Sequence, residues 1–315
     1  MPVPPLVLAV DLGKSRCRAV VAGPRLRVAH DGVGAPGLAA AEGVEAALAA
    51  IRPALDAVRA SDAQDASPEA IAVGAAGAWA APRAAADLAR RLATEAGVPV
   101  VVTSDVVSAH AGALDGGQGV LLIAGTGAAA LGITPDDAAL VDGWGPELGD
   151  FGSGSWLGRE ALRAVLRAAA GLGPSTALTE ALRDPVGDVS SVQAWLAQDD
   201  ALARRLATLA PLVLDAAASG DDVAAQTAAE GVRLLTATAV AASAQSSAAA
   251  ASAQNPAVAL HGGLTDHRWF HDRLGASLHA AGLVVVPSVG DALDGARLLA
   301  ERSDLPHERF VHRAE

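Results

Sequence analysis

Short apolar runs that end in polar turns recur along the chain. Three of these runs have a turn that could carry chemistry: residues 6–10 lead to Asp11-Leu12-Gly13-Lys14-Ser15, residues 98–102 to Asp105, and residues 120–124 to Gly125-Thr126-Gly127. Apolar runs of this length between turn residues predict buried β-strands. Glycine turns let phosphate approach backbone N–H groups, and a carboxylate can accept a proton from an alcohol.

The first half of the chain predicts the order β-β-β-α-β-α-β. The predicted strands are 6–10, 18–22, 26–29, 70–74 and 98–102, and the predicted helices are 43–58 and 82–96. Helix 43–58 has its apolar residues at the spacing of one buried face. Helix 82–96 begins with proline, which suits a first helical turn.

The second half predicts the same order with an insertion. Its strands are 120–124, 129–133, 138–141, 258–261 and 283–286, and its helices are 155–170, 267–280 and 291–301. An alanine-rich helical insert is expected at about 171–256. We therefore predict a two-lobed α/β protein with a nucleotide between the lobes. The expected lobes are 1–115, with a C-terminal helix at about 302–315 packed on it, and 116–301.

Composition limits the classes of partner. The 315 residues carry a formal net charge of −12, which argues against nucleic acid and anionic membranes. Cys17, the only cysteine, cannot form an intramolecular disulfide or a metal cluster alone, which fits a reducing cytoplasm. The first residues lack the pattern of a signal peptide. We expect a cytoplasmic protein. The alanine-rich insert could be the surface of a homodimer or simply a cap.

The turn after the first strand is the first candidate site. Gly13 permits a tight turn, Ser15 can donate to phosphate, and Asp11 can hold Mg²⁺ through water. Lys14 is the only lysine beside 22 arginines, and its ammonium suits a β- or γ-phosphate. The alternatives are a plain hairpin turn and a solvated lysine.

Two further stretches offer phosphate and proton-transfer chemistry. Gly125, Thr126 and Gly127 form a second candidate phosphate turn, with an ordinary strand–strand turn as the alternative. Asp105 is a candidate general base for a substrate hydroxyl, and the alternative is a helix N-cap.

Residues 142–158 contain six glycines and two tryptophans, a composition typical of a ligand loop. Asp150 could bind sugar hydroxyls and Trp144 could stack on a sugar, while Ser153 or Ser155 could cap the following helix. Gly262-Gly263 could approach an adenine ring. His267 and His271 have the spacing of a metal pair, although ordinary surface histidines are the favoured interpretation.

These stretches together resemble the family of N-acetylglucosamine kinases and BadF/BadG/BcrA/BcrD-type ATPases. That family belongs to the actin/hexokinase/Hsp70-like superfamily, with its ribonuclease H-like fold. The sequence LVLAVDLGKSRCRA resembles the first phosphate motif, TSDVVSAHAGA the catalytic-aspartate segment, and VLLIAGTGAAALGI the second phosphate motif. DGWGPELGDFGSGSWLGREAL is similar to the GGWG…GDEGSGYWIGREAL signature, the most specific match, and VALHGGL to the adenosine motif.

The resemblance implies ATP- and Mg²⁺-dependent phosphorylation of the 6-hydroxyl of an amino sugar, N-acetylglucosamine or glucosamine. It makes Asp105 the base, Asp11 the Mg²⁺-positioning residue, Thr126 and its glycines the phosphate contacts, and Trp144, Gly145 and Asp150 the sugar pocket.

Three departures concern these motifs. Lys14 replaces a glycine, residues 34–38 lack the usual asparagine, and Phe151 replaces a glutamate. The last two lie on the substrate side, so the sugar is less defined than the reaction. The alternatives are a non-catalytic sugar or nucleotide sensor, and a family ATPase acting on another acceptor. Another member of the family is the ATP-driven activator of a radical dehydratase or aryl-CoA reductase. Such an activator needs cysteines for an iron–sulfur cluster that bridges two subunits, and Cys17 alone does not supply them.

Overall fold

Buried strands and one-sided helices alternate in the computed structural model, which describes residues 6–23, 26–60, 67–198, 201–246 and 255–315. The chain divides into two units. The first comprises Met1–Gln118 and Ser288–Glu315, and the second comprises Gly119–Pro287. Each unit contains one mixed β-sheet with packed helices, which confirms the predicted α/β class.

The amino-terminal part of the first unit has five strands and three helices. They are β1 (Val7–Leu12), β2 (Arg16–Gly23), β3 (Leu26–Val33), α1 (Gly43–Arg59), β4 (Ala70–Ala75), α2 (Pro82–Ala96), β5 (Val100–Ser104) and α3 (Asp105–Ala113). The strands lie in the order β5-β4-β1-β2-β3. β1 pairs antiparallel with β2 and parallel with β4, and β4 pairs parallel with β5.

The second unit carries a corresponding sheet and most of the helices. Its elements are β6 (Gly119–Ala124), β7 (Ala128–Ile133), β8 (Ala138–Asp142), α4 (Gly154–Ala169), α5 (Leu178–Ala181), α6 (Arg183–Val186), α7 (Val192–Leu196), α8 (Leu202–Ala207), α9 (Ala210–Ala218), α10 (Asp222–Ser246), β9 (Ala257–His261), α11 (Arg268–Ala280) and β10 (Val284–Val286). The strand order is β10-β9-β6-β7-β8. Residues 199–200 and 247–254 of the expected insert lie outside the described residues.

The chain returns to the first unit at Ser288, where helix α12 (Ala292–Glu301) and strand β11 (His312–Ala314) complete it. The sequence had assigned α12 to the second lobe, and this was wrong. Its apolar face packs on the first sheet, where Ala296 joins Val7 and Ala9 of β1 in one buried cluster.

The predicted helix at about 302–315 is also wrong. This segment forms a single 3₁₀ turn, Glu308–Phe310, and then β11, which pairs antiparallel with β5. Pro306 and the short length disfavour an isolated helix. The edge of β5 offers unpaired backbone groups that a short strand satisfies.

Strands β1, β4 and β5 of the first sheet are buried on both faces. Leu8 and Val10 of β1 face a core built with α1 and α2, and Val7 and Ala9 face the opposite side. Full burial of a Leu or Val side chain contributes about 1.5–3 kcal/mol. Burial on both faces explains why the sequence of β1 is an uninterrupted apolar run. Asp11 lies at the end of this run.

The core of the second unit joins β6 and β7 to helices of the insert. Leu122, Leu157 and Phe270 are among its fully buried members. No helix within the described ranges is long and apolar enough to span a bilayer.

Candidate active site

The turn between β1 and β2 is tight and exposes its polar tip. The Gly13 amide donates to the Arg16 carbonyl at 2.9 Å, and Lys14 and Ser15 are exposed. Gly34, which follows β3, lies against the back of the turn. A Cβ there would overlap the Gly13 carbonyl oxygen and the Arg16 amide. The predicted phosphate turn is thus a hairpin as well, with its side chains available to a ligand.

Asp11 lies at the end of β1 in an ion-pair network. Its Oδ2 accepts from Arg18 Nη2 at 2.7 Å and from Nε at 3.1 Å, and Arg18 Nη1 donates to Asp291 Oδ2 at 3.0 Å. Sequence reasoning missed both partners. Asp11 and Arg18 are directly opposite across the hairpin, so the predicted turn contained the signal for that pair. Asp291 comes from the C-terminal part of the chain, so no local pattern points to it.

Asp105 is the first residue of α3, directly after β5. The N-cap is Ser104, so the N-cap alternative for Asp105 is wrong. Its Oδ1 accepts from Ser104 Oγ at 3.0 Å and from the Val106 amide at 2.9 Å. Burial raises the pKa of the Asp105 carboxyl above its usual 3.8, the charge of Asp11 adds to this rise, and these hydrogen bonds and Lys14 oppose it. A higher pKa makes the carboxylate a better proton acceptor.

The turn between β6 and β7 is held by backbone bonds. The Gly125 amide donates to the Gly127 carbonyl at 3.0 Å. The first turn of α4 reaches the same loop, since Gly154 N–H donates to the Gly125 carbonyl at 2.8 Å and Ser155 N–H to the Thr126 carbonyl at 3.1 Å. The Thr126 side chain remains exposed and can donate to phosphate.

The glycine-rich loop after β8 is organised by Asp142, which sequence reasoning did not single out. The buried Asp142 carboxylate accepts from the backbone amides of Gly143, Asp150 and Phe151 at 2.7–2.9 Å. Asp142 and Asp150 both have positive φ, 63° and 55°, a conformation that aspartate tolerates better than most residues. Three amide bonds therefore fix where the loop places its side chains.

Asp150 is nearly buried and lies against the second turn. Its Oδ1 accepts from the Ala128 amide at 3.3 Å, and a Cβ on Gly127 would lie 2.9–3.0 Å from its carboxylate atoms. The predicted phosphate turn and the predicted sugar residue are thus in contact.

The other predicted substrate residues lie on the outer part of the same loop. Trp144 is 64% exposed, and its ring meets Phe151 edge-on with centroids 6.5 Å apart. Gly145 next to it has φ of 90°. Ser153 is the N-cap of α4 and accepts from the Trp156 amide at 3.2 Å, so the capping alternative for this serine is confirmed.

Gly262 follows β9 and lies behind the second turn. It has φ of 113°, and a Cβ there would be 2.6 Å from the Ala124 carbonyl carbon and oxygen. Gly263 begins a 3₁₀ helix, Gly263–Asp266. Close backbone approach requires glycine at 262 and brings the predicted adenosine motif to the second candidate phosphate turn.

His267 is the N-cap of α11 and His271 lies in this helix, and both have acidic neighbours. His267 Nε2 lies 3.2 Å from Asp215 Oδ1, and His271 Nδ1 lies 3.6 Å from Asp272 Oδ1. Among the described residues no group of three metal-ligating side chains is present. The interpretation of both as ordinary surface residues stays a prediction, since the side chain of His271 is 47% exposed and that of His267 only 24%.

The residues at the first turn suit a magnesium ion held through water. Both Arg18 bonds end on Asp11 Oδ2, so Oδ1 can accept from a metal-bound water. Mg²⁺ commonly keeps several waters and binds through one or two carboxylates and substrate phosphates. Asp11 is a suitable outer ligand, and Lys14 can meet the phosphates.

The chain belongs to the BadF/BadG/BcrA/BcrD ATPase family, whose model matches residues 8–286. Among curated proteins it is similar to the N-acetyl-D-glucosamine kinase of Dictyostelium discoideum, with 35% identity over 117 residues. That match covers 33% of this chain and 34% of the relative.

The fold is shared with solved structures, among them two proposed N-acetylglucosamine kinases. A proposed N-acetylglucosamine kinase from Chromobacterium violaceum is 26% identical with a TM-score of 0.66, and the match covers 96% of this chain and 100% of that one. A proposed N-acetylglucosamine kinase from Porphyromonas gingivalis is 17% identical with a TM-score of 0.71, covering 94% and 99%. The second likeness concerns the fold alone.

Proposed function

We propose that this protein is an ATP-dependent kinase that phosphorylates the 6-hydroxyl of an amino sugar, N-acetylglucosamine or glucosamine. One observation carries the proposal. Asp105 begins α3 beside the end of β1: Asp11 lies opposite Gly74 of β4, and a Cβ on Gly74 would lie 3.4 Å from the Cα of Asp105. Burial also raises the pKa of the Asp105 carboxyl. A base beside a phosphate-binding turn is the arrangement that phosphoryl transfer to an alcohol needs. Family membership and the similarity to the Chromobacterium violaceum protein support the same reaction.

In the proposed reaction Asp105 accepts the proton of the sugar hydroxyl. The sugar oxygen forms a bond to the γ-phosphorus while the bond from that phosphorus to the β–γ bridging oxygen breaks, and ADP leaves. Lys14 and Ser15 bind phosphate oxygens from the first turn, and Thr126 with Gly125 and Gly127 binds them from the second. When Mg²⁺ is bound, it neutralises phosphate charge.

The remaining roles are proposals of the same kind. Asp11 would hold a metal-bound water. Gly13 shapes the first turn. Gly262 and Gly263 border the adenosine, and Trp144, Gly145 and Asp150 bind the sugar. Phe151 and the 34–38 loop make the sugar the least defined part of the proposal. The homodimer and the cytoplasmic location stay predictions.

Cys17 argues against an iron–sulfur activator. It is buried, and burial raises the pKa of its thiol to about 11. A buried thiol that stays protonated is a poor cluster ligand.

The test is a coupled ADP-release assay with Mg²⁺-ATP and glucosamine, N-acetylglucosamine, glucose, mannosamine or no sugar. We expect turnover with one amino sugar, reduced about 10²–10⁴-fold in Asp105→Asn because the base is lost. Asp56→Asn, which changes an exposed carboxylate on α1, is the matched control and should retain activity. ADP release without sugar would instead indicate an ATPase with another acceptor. ATP binding without turnover on any sugar would indicate a sensor.

A further inference from the structure

Arg18 lies between two carboxylates that the chain brings together from its opposite ends. Its guanidinium donates twice to Asp11 Oδ2, at 2.7 and 3.1 Å, and once to Asp291 Oδ2, at 3.0 Å. The three side chains are partly shielded, with exposed fractions of 31% for Arg18, 20% for Asp11 and 38% for Asp291. Such a fork fixes the position of Asp11 Oδ2, because two N–H groups of one rigid guanidinium meet this one oxygen.

The two carboxylate oxygens of Asp291 have different hydrogen-bond partners. Oδ2 faces Arg18, while Oδ1 caps α12 by accepting from the Leu293 amide at 2.8 Å and the Asp294 amide at 3.3 Å. The Asp294 side chain completes a capping box by accepting from the Asp291 amide at 3.0 Å. Arg18 therefore forms ion pairs with both the N-cap of α12 and the end of β1.

Helix α12 packs directly on α3, the helix that begins at Asp105. A Cβ on Gly112 of α3 would overlap the Asp291 carbonyl oxygen, and one on Gly295 of α12 would overlap the Ser108 carbonyl oxygen. The contact between the two backbones leaves little room for sliding. Asp11, Arg18, Asp291, α12 and α3 thus form a continuous connection from the first turn to the proposed base.

We propose that Arg18 is a positioning residue for the metal-bound nucleotide. It holds Asp11 through Oδ2 so that Oδ1 faces a water of the magnesium shell, and it ties this carboxylate to the helix pair that carries Asp105. The inference rests on the proposed function for its catalytic consequence. Its effect on magnesium-dependent nucleotide binding does not require a sugar.

A lysine at position 18 would keep the charge and lose the fork. Lysine offers a flexible point charge, whereas Arg18 presents two donors in a fixed plane to Asp11. Arg18→Gln removes the charge as well. The two variants therefore separate neutralisation of Asp11 from its orientation.

The experiment compares ADP binding by calorimetry with and without Mg²⁺ in the full chain. We expect Arg18→Gln to weaken Mg²⁺-ADP binding about tenfold while metal-free ADP binding stays within about twofold, and Arg18→Lys to lose several-fold. Asp291→Asn should lose a smaller part, since it removes a charge from the far side of Arg18. Arg16→Gln is the matched control, because Arg16 forms an exposed ion pair with Asp31 on the same hairpin.

Equal weakening of ADP binding with and without Mg²⁺ would overturn the inference and leave Arg18 a structural residue. Unchanged binding in both conditions would overturn it too. Thermal unfolding of each variant checks folding, and Arg18→Lys and Asp291→Asn keep the test open if Arg18→Gln does not fold. A wild-type protein that shows magnesium-dependent ADP binding but no sugar turnover would refute the kinase proposal alone.

Discussion

The two candidate phosphate turns share a backbone plan and differ in chemistry. Each joins the first two strands of its sheet, and each is backed by a glycine that follows another strand, Gly34 for the first turn and Gly262 for the second. The first turn is rich in charge, with Lys14 at its tip and the Asp11–Arg18 pair beneath it. The second turn offers Thr126 and main-chain groups.

This difference indicates a division of labour. A charged turn can meet a metal and the outer phosphates, and its contribution depends on ionic strength and on magnesium. A turn built from backbone depends on its shape, which α4 and Asp150 hold in place. Both turns need their backing glycine, but side-chain substitutions at the first turn should act mainly through charge, whereas substitutions at the second should act mainly through geometry.

The largest effect is expected from Gly262→Ala. Its φ of 113° is unfavourable for alanine, and the new Cβ would lie 2.6 Å from backbone atoms of Ala124. Strain of this kind costs about 1–3 kcal/mol, and the clash adds to it. Urea unfolding should show a loss of at least about 2 kcal/mol, together with loss of nucleotide binding.

The control for Gly262→Ala is Gly275→Ala on α11, where a Cβ meets nothing within 4 Å. That change should be neutral or stabilising by about 0.5–1 kcal/mol, because alanine favours helix. Gly34→Ala repeats the test at the first turn. Wild-type stability and binding in Gly262→Ala would refute the close-packed second turn.

The next largest effect is expected from acid, which should destabilise the first unit more than the second. In the first unit His110 Nδ1 and His307 Nε2 lie 2.8 Å apart, both fully buried. Burial, with His110 and Arg309 adding to it, lowers the pKa of His307 from 6.5 to about 3. The unfolded chain then binds a proton that the folded chain does not. Stability should fall as pH drops from about 6.5 towards 3, by up to about 1.4 kcal/mol per pH unit from this histidine.

Amide hydrogen exchange at pH 7.5 and 5.5 would test this, with the protection of β5 and β11 expected to fall more than that of β6 and β7. His307→Gln keeps a polar partner for His110 and removes the titrating ring, so its loss of protection should be shallower. Equal pH dependence in His307→Gln and the wild type would show that another group controls the acid response.

The sequence predicted the strands and helices of both units well because their signals are local. Buried strands such as β1 read as apolar runs, and α1 and α2 carry one apolar face each. Asp105 and both turns could be found for the same reason, since each directly follows such a strand. The assignment of α12 failed because its partners, α3 and β1, lie far away in sequence.

The missed site residues separate into those that could have been found and those that could not. Asp11 and Arg18 are symmetric about the predicted hairpin, so cross-strand pairing would have joined them. The Asp291 contact depends on how α12 returns to the first sheet. Asp142 acts through backbone amides of a loop whose path only the structure gives.

A smaller effect is expected from Lys14→Met at the first turn. A hydrogen bond between an ammonium and phosphate is worth about 1.5–3 kcal/mol, and exposure places Lys14 at the low end. The KM for ATP should rise roughly tenfold, and the variant should lose part of the salt sensitivity of the wild type. Arg16→Met, on the same turn, is the control. An unchanged KM would show that Lys14 is a solvated side chain that does not bind phosphate.

The smallest effect is expected from Thr126→Ala at the second turn. The backbone bonds of this turn use main-chain atoms of Gly125, Thr126 and Gly127, so the substitution leaves them in place and removes one neutral hydroxyl. Such a group contributes about 0.5–1.5 kcal/mol, which corresponds to a loss of about two- to tenfold in kcat/KM. Thr126→Ser should restore activity because it returns the hydroxyl. If Thr126→Ser were as impaired as Thr126→Ala, the methyl group rather than the hydroxyl would matter, and the second turn would act through shape alone.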